Sequence, residues 1–544
     1  MYLQTHLKNN KMKYSTLFLL LFTISSIQAQ PIGYGTISPN GMEVGMHSDG
    51  TLFMDESKQN GNFQVDQSEN LKTIYSSSLW VSGVNSSNQI SASKFIYGGL
   101  SGDLTYIPGP VGNFSFNFDQ VWVVNGSDIV ALIDDFSDGS IDNTPNSSIM
   151  NWPGRGNPLF PNLPDQDLAP FYDQNNDGIY NPMEGDYPIV GNDLSGLIPL
   201  EMMYTVYNDG FATSSVPAGV EFHTIMYAVE CVDAPILNKS IFTRHRVIKK
   251  EYDATDFRIG IWTDFDLGCL NDDAIGTIPE LNAVVCYNID PIDGLQNGEC
   301  QFNISSFGDN PGVQSMVMLN QEVSSMNGYI GVNISAPAGM YLPVTPEETH
   351  NVLSGKWRDG TGISVGGDGY DLSSTDITNF MLHGDINDPN AWSVISANIF
   401  FFDFYPIMNT SRPSFAIDEE IILDYAYIFS QDEALNNVET YAQAKIDIQS
   451  VQEIYDGVFS QSCSLVSSVQ NETFRELSIT PNPVQDKLLI GELYEEYKIF
   501  DNLGRLVQVN KYSNEIAVEN LPSGMYSIQL FNDNTISVGS FIKI

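Results

Sequence analysis

The sequence predicts a mostly β protein: a β-rich, sandwich-like body with long loops, one amphipathic helix near its end, and a small C-terminal β-sandwich. Three observations predict it. Runs such as "SLWVSGV", "QVWVVNG", "EFHTIMYAVECV", "FRIGIWTDF", "NAVVCYNI" and "EIILDYAYIFS" are rich in Val, Ile, Tyr, Phe and Trp, which fit a pleated, half-buried surface. Gly, Pro, Asn and Asp separate them, with 44 glycines and 27 prolines in 544 residues. One long segment instead carries its apolar residues at helical spacing.

In chain order, the first element is a leader. From Met12 the chain reads "MKYSTLFLLLFTISSIQAQ": Lys13 supplies a positive start, Leu17 to Ile24 an apolar stretch, and small or polar residues lead to Ala29. Residues 1–29 read as a secretory signal peptide, cut before Gln30, with Met12 opening the more compact version. No later apolar run is long enough to cross a bilayer as a helix, so an exported chain without a helical anchor is expected.

Composition narrows the partners. Hydrophobic residues make up 42% and charged residues 17%, which excludes a disordered polyelectrolyte. There are 67 acidic and 23 basic residues, a net charge of −44. Such a surface repels nucleic acid and anionic membranes, and no basic, aromatic-interleaved patch offsets it. It favours solubility and attracts divalent cations. Five cysteines (Cys231, Cys269, Cys286, Cys300 and Cys463) allow disulfides in an exported chain, and the odd count leaves at least one unpaired or joined to another chain. None has C-x-x-C spacing, so zinc is not indicated.

The body is assigned to residues 30–459. Its closing helix is expected in "SQDEALNNVETYAQAKIDIQSVQEIYDGVF", with Ser430 and Glu433 as a capping box. Leu435, Val438, Tyr441, Ile448, Val451, Tyr455 and Val458 form its stripe, and a core face is the commoner meaning of such a stripe. A polar, Ser-rich stretch over 460–474 reads as a linker. Residues 475–544 then alternate short strands and turns without a helix, as in a small β-sandwich.

This last module carries Pro481-Asn482-Pro483, the hairpin "IFDNLGRLV" with Gly504, the turn and strand "LPSGMYSIQL", and the ending "FIKI". In that order they resemble the type A C-terminal sorting domain of the type IX secretion system. The resemblance implies passage through the inner membrane by the leader and through the outer membrane by that system. The type IX machinery is the implied partner of residues 475–544, and after removal of the tail the cargo is released or fixed to surface lipopolysaccharide. In the body, "GMEVGMHSDGTLFMDE", "SSLWVSGVN", "FRIGIWTDFDLGCLNDDAIG", "VVCYNID" and "KWRDGTGISVGGDGYD" resemble blocks of a family of large exported proteins from bacteria with this system. That resemblance implies a surface role and no particular reaction.

One loop suggests a cofactor. In "FYDQNNDGIYNPMEGDYP", Asp173, Asn175, Asp177, Gly178 and Glu184 fit D-x-[DN]-x-[DN]-G-x5-E. Calcium requires many hard oxygens, and alternate oxygen-bearing side chains around a glycine turn supply them. Ile179 would add its backbone carbonyl, and Asp186 is a possible extra ligand. Pro170, Pro182 and Pro188 disfavour the flanking helices of an EF-hand, so a structural calcium loop in an extended setting is expected. A second cluster, "DFDLGCLNDDAIG", holds Asp264, Asp266, Asp272 and Asp273, and reads either as a cation site or as a solvated strand end. "DDFSDGSID" (Asp134, Asp135, Asp138, Asp142) reads as a solvated turn.

Signs of catalysis are sparse. The six histidines are scattered and no H-E-x-x-H occurs. "GISVG" around Ser364 fits G-x-S-x-G, but "GDGYD" follows where a nucleophile elbow needs a helix. No phosphate-binding or dinucleotide fingerprint is present. No catalytic residue is assigned. A non-catalytic, calcium-stabilised exported protein with an adhesive or surface-layer role is the preferred expectation. The alternatives are a secreted hydrolase, recognisable by a buried carboxylate pair across a cleft, and a carbohydrate-binding protein, recognisable by exposed tryptophans.

Overall fold

The computed structural model describes residues 33–55, 60–96, 106–112, 116–194, 196–210, 216–231, 234–269, 272–294, 300, 305–331, 336–399 and 404–457. In the C-terminal part it describes 475–477, 479, 481–490, 494, 496–501, 506–511, 515–532 and 535–544. The expected signal peptide and the expected linker lie outside these residues, as do Val458 and Gly504.

Two large antiparallel sheets form the body. The first has the spatial order Tyr34–Ile37, Glu43–His47, Phe63–Asp66, Leu71–Val84, Ala254–Phe265, Phe404–Phe415, Ser325–Ile330, with Ile90–Ser93 beside Leu71–Val84. The second runs Asp273–Ile278, Ala283–Asn288, Val313–Met318, Glu420–Ser430, Ser240–Lys249, Val220–Ala228, Glu201–Asn208, Ile107–Pro108, with Trp122–Asn125 also on Glu201–Asn208. The chain therefore crosses between the sheets repeatedly, once just before Asp273.

Period-two alternation puts the two faces of each strand into different cores. Along Glu420–Ser430, Leu423, Tyr425 and Tyr427 enter the layer between the sheets, while Ala426 and Ile428 enter the layer behind the second sheet. Along Glu201–Asn208, Met203 and Tyr207 face the first layer, and Met202, Tyr204 and Val206 the other. Val44, Phe63, Leu79 and Ile261 of the first sheet meet Phe222, Met226 and Ile241 of the second in the shared layer. Burial of the second sheet on both sides explains why its strands read as nearly unbroken apolar runs. The first sheet's outer face is covered by the helix Pro346–Leu353, whose Val352 and Leu353 pack on Trp80, Trp262, Tyr329 and Ile407. Trp80 stacks on Trp262 at 6.2 Å, and Trp262 on Tyr405 at 5.9 Å.

The closing helix exists but starts later than expected. It spans Asn437–Asp456, and its capping box is Asn436 with Glu439. Ser430 remains in the sheet, paired with Val313. The strand's long-range pairing outweighs the local capping signal at Ser430, and the next Asn-x-x-Glu supplies the cap. Tyr441, Ile448 and Val451 are buried as the stripe requires, Val438 and Tyr455 are partly buried, and Leu435 precedes the helix.

At the C-terminus, Arg475–Glu476, Thr535–Lys543, Gly524–Asn532, Glu496–Asp501 and Leu506–Lys511 form one sheet in that order. Lys487–Leu489 pairs with Glu515–Ala517. Val484, Leu488, Ile499, Ile516, Ile528 and Phe541 fill a separate core. This is the small β module read from the sequence.

Candidate functional site

The acidic loop hangs from a two-stranded ladder. Phe171–Tyr172 pairs antiparallel with Tyr187–Pro188, and Tyr172 stacks on Tyr187 at 4.8 Å. No helix flanks the loop, as the three prolines lead one to expect. Its own oxygens fold its first turn. Asp173 accepts from the Asp177 N–H at 3.2 Å and the Gly178 N–H at 2.7 Å. Asn175 Oδ1 accepts from the Asp177 N–H at 3.0 Å, and Asp177 Oδ1 from the Ile179 N–H at 2.8 Å. Gly178 sits at φ +77°, a left-handed conformation that a β-carbon would strain. Pro182–Glu184 then makes a short 3-10 turn that brings Glu184 back over the loop.

Three of the expected ligands converge. Asn175 Nδ2 lies 3.1 Å from Asp177 Oδ2 and 2.8 Å from Glu184 Oε2, so an amide donor stands between two exposed carboxylates. Among the described residues, no three of His, Cys, Asp and Glu gather as a metal cluster. Asp173, on the same turn, is half-buried. Asp173, Asp177 and Glu184 carry hard oxygens of the kind calcium takes, while Asn175 turns its amide N–H toward the Asp177 and Glu184 carboxylates.

Asp186 has a different part. It is fully buried, and it accepts from the Gln174 N–H at 2.9 Å and the Asn181 N–H at 2.8 Å. Burial pushes its carboxyl up from the ordinary value, and the Asp173 and Asp177 charges add to the rise. Both its oxygens tie the loop's ends together. The Ile179 side chain is exposed, whereas Tyr180 is buried and donates to the Ile149 carbonyl at 2.6 Å.

A cleft of about 280 Å³ lies elsewhere, lined by Arg155, Asp165, Asp167, Glu221, Arg246 and Lys250 among others. Its basic residues are paired: Arg155 with Asp165 at 2.8 Å, Arg246 with Glu420 at 2.7 Å, and Lys250 with Glu221 at 3.7 Å. Glu221 is the buried carboxylate of this lining. It meets His223 Nε2 at 2.9 Å, and His223 Nδ1 meets the Tyr204 hydroxyl at 2.8 Å. Burial lowers the His223 pKa. Sequence reasoning missed this chain. Its signal was the Glu-x-His spacing, which puts both side chains on one face of a strand.

The tryptophans decide against the sugar-platform alternative. Trp80, Trp122, Trp152, Trp262, Trp357 and Trp392 are all buried, so they build cores and no exposed sugar platform. Ser364 is buried too, accepts from the Asp371 N–H at 3.0 Å, and precedes a turn with left-handed Gly366, Gly367 and Gly369. Cys269 is bonded to Cys300, Cys231 is also disulfide-bonded, and Cys286 is free and buried.

In the terminal module the Pro-Asn-Pro motif grips the last strand. Asn482 Nδ2 donates to the Ser540 carbonyl at 3.0 Å, and Asn482 Oδ1 accepts from the Ile542 N–H at 2.9 Å. The Val484 N–H donates to the Ile542 carbonyl at 2.7 Å, and the Ile544 N–H to the Val484 carbonyl at 2.9 Å. Residues 478–544 match the family model of the secretion system C-terminal sorting domain. The chain ends in a type IX sorting domain. This sorting domain directs the protein out of the cell, to the surface or the medium, and implies engagement with the type IX machinery. No helix among the described residues is long and apolar enough to cross a membrane.

No curated protein matches the chain. Among solved structures, a polysaccharide lyase shares 8% identity over 64% of this chain and 36% of its own, with a TM-score of 0.18. A kojibiose phosphorylase from the human microbiome shares 8% identity over 79% of this chain and 38% of its own, with a TM-score of 0.23. The chain spans little more than a third of either protein, and likenesses at these scores carry no argument about fold or chemistry.

Proposed function

We propose that the body is a calcium-stabilised, non-catalytic module that the sorting domain delivers for adhesion or surface-layer assembly. Surface lipopolysaccharide is the proposed anchor once the tail is removed. The observation that carries this reading is the convergence of Asn175, Asp177 and Glu184 over the turn held by Asp173. The Asn175 amide donor occupies the place a cation would take between the two carboxylates. Asp173, Asn175, Asp177 and Glu184 would hold calcium through side-chain oxygens, and Ile179 through its carbonyl. Asp186 would support the site without touching the ion. Bound calcium supplies charge compensation and rigidity here, and drives no reaction.

Hydrogen exchange of the full chain with and without calcium tests the loop directly. At a calcium concentration 100 times the dissociation constant, binding stabilises the closed loop by about 2.7 kcal/mol, or about 100-fold in exchange protection. The Asp177, Gly178 and Ile179 amides should show it, and D173N/E184Q should lose it. Exchange in this loop that is indifferent to calcium in the unmodified chain would refute the site. Turnover of a glycan or peptide panel by the purified protein would refute the non-catalytic part.

A further inference from the structure

The second acidic cluster gains a member that its own stretch of sequence does not contain. Asp273 opens the strand Asp273–Ile278, and its cross-strand partner is Asn288, the last residue of Ala283–Asn288. Directly opposed residues in an antiparallel pair bring their Cβ atoms to about 5 Å on one face. Asn288 Nδ2 also donates to Asp272 Oδ2 at 3.3 Å. Three oxygen-bearing side chains thus meet at one end of the second sheet.

Each is anchored through one atom. Asp272 Oδ2 accepts from the Gly294 N–H at 2.8 Å, and Asp273 Oδ2 from the Leu267 N–H at 2.9 Å. The other oxygens, Asp272 Oδ1, Asp273 Oδ1 and Asn288 Oδ1, are enclosed and, among the described residues, accept from no donor. Asn288 is only 1% exposed and Asp272 only 7%. Leaving a buried acceptor unpaired costs about 1–3 kcal/mol, and more for a charged group. Three such oxygens on neighbouring side chains call for a source of positive charge. Asp293 lies alongside with both oxygens engaged, by the Cys269 N–H at 2.8 Å and the Phe307 N–H at 2.5 Å. Burial pushes Asp272 up to about 6 and holds Asp273 above the ordinary carboxyl value, with neighbouring carboxylates adding to both, and burial also raises Asp293.

We propose that Asp272, Asp273 and Asn288 form a second divalent-cation site, for calcium by its all-oxygen donor set. Its place in the fold gives it a task. The strand Asp273–Ile278 of the second sheet follows Ala254–Phe265 of the first in chain order, so the chain changes sheets just before Asp273. Asp273 holds the Leu267 N–H, Asp293 holds the Cys269 N–H, and Cys269 is cross-linked to Cys300. A cation at the three open oxygens would fasten this crossing to the second sheet at the same end.

Native mass spectrometry of the full chain with calcium counts the ions. With both sites present, the unmodified protein should carry two, D173N/E184Q one, D272N/D273N one, and the combined variant none. The Asn replacements keep the shape of a protonated carboxyl, so if these groups were simply neutral acids the ion count would not change. Equal counts in D272N/D273N and the unmodified chain would overturn the proposal. Should D272N/D273N fail to fold, D173N/E184Q decides: one retained calcium supports the second site, and none overturns it. One ion in the unmodified chain, kept by D173N/E184Q and lost by D272N/D273N, would support this site and refute the loop.

Discussion

His245 should make the body acid-sensitive, and the size of the effect follows from its surroundings. It sits in the strand Ser240–Lys249 and is 1% exposed. Its ring nitrogens meet only hydroxyls, Thr224 Oγ1 at 2.9 Å and Thr243 Oγ1 at 3.0 Å, with Tyr425 edge-on at 5.8 Å. His223, by contrast, has the Glu221 carboxylate beside it. Burial lowers the His245 pKa from 6.5 to about 3. A histidine depressed in the folded state contributes stability that is fully present above 6.5 and is lost as pH falls towards 3. At pH 4.5 the folded ring is still neutral while the unfolded one is charged, so about two pH units of linkage have acted, about 2.7 kcal/mol. Unfolding entropy of about 2.1 cal/mol/K per residue over a body of roughly 430 residues gives about 0.9 kcal/mol/K, so Tm should fall by about 3 °C. Acidification also weakens repulsion among the carboxylates, which works in the opposite direction. The comparison is therefore made between the unmodified chain and H245Q, by thermal unfolding at pH 7 and pH 4.5 with calcium present throughout. H245Q keeps a polar group for the two threonines and loses the titration. Its Tm should drop by about 3 °C less than that of the parent between the two pH values. An identical drop in both proteins would refute the assignment.

Two more substitutions test the other layers. Ile448→Ala opens a cavity where the closing helix packs behind the second sheet, and should cost about 2–4 kcal/mol, read as a fall in Tm of the purified chain. Asn482→Ala removes both side-chain hydrogen bonds to the last strand of the sorting domain, at about 1 kcal/mol each, and should shift the protein from the surface and medium to the periplasm on fractionation.

Some of this was legible in the sequence because the signals are local. The strands carry their β-branched and aromatic residues in one run, and the sorting domain its ordered motifs within residues 475–544. What stayed hidden depends on pairing. Ser430 looks like a cap until Val313 is seen across from it. Asp272 and Asp273 were visible, but Asn288 joins them only through strand register. Tyr204 reaches His223 across neighbouring strands in the same way. Asp186 counted as a ligand by its proximity to the motif, and burial with two backbone donors shows it to be a strut.

The charge balance also decides what kind of role calcium can have. Ions at the two proposed sites would bring +4 to a chain with a net charge of −44, so they could not relieve its overall repulsion. Ordinary salt does that better, since the Debye length is already near 10 Å at 0.1 M and the exposed carboxylates are screened beyond it. Only where the fold brings oxygen-bearing side chains together, as proposed over the Asp173 turn and at the Asp272–Asp273–Asn288 end, would a divalent ion offset an energy that sodium cannot reach. Calcium dependence in this protein should therefore follow chelation and these few side chains, and stay when sodium chloride is raised.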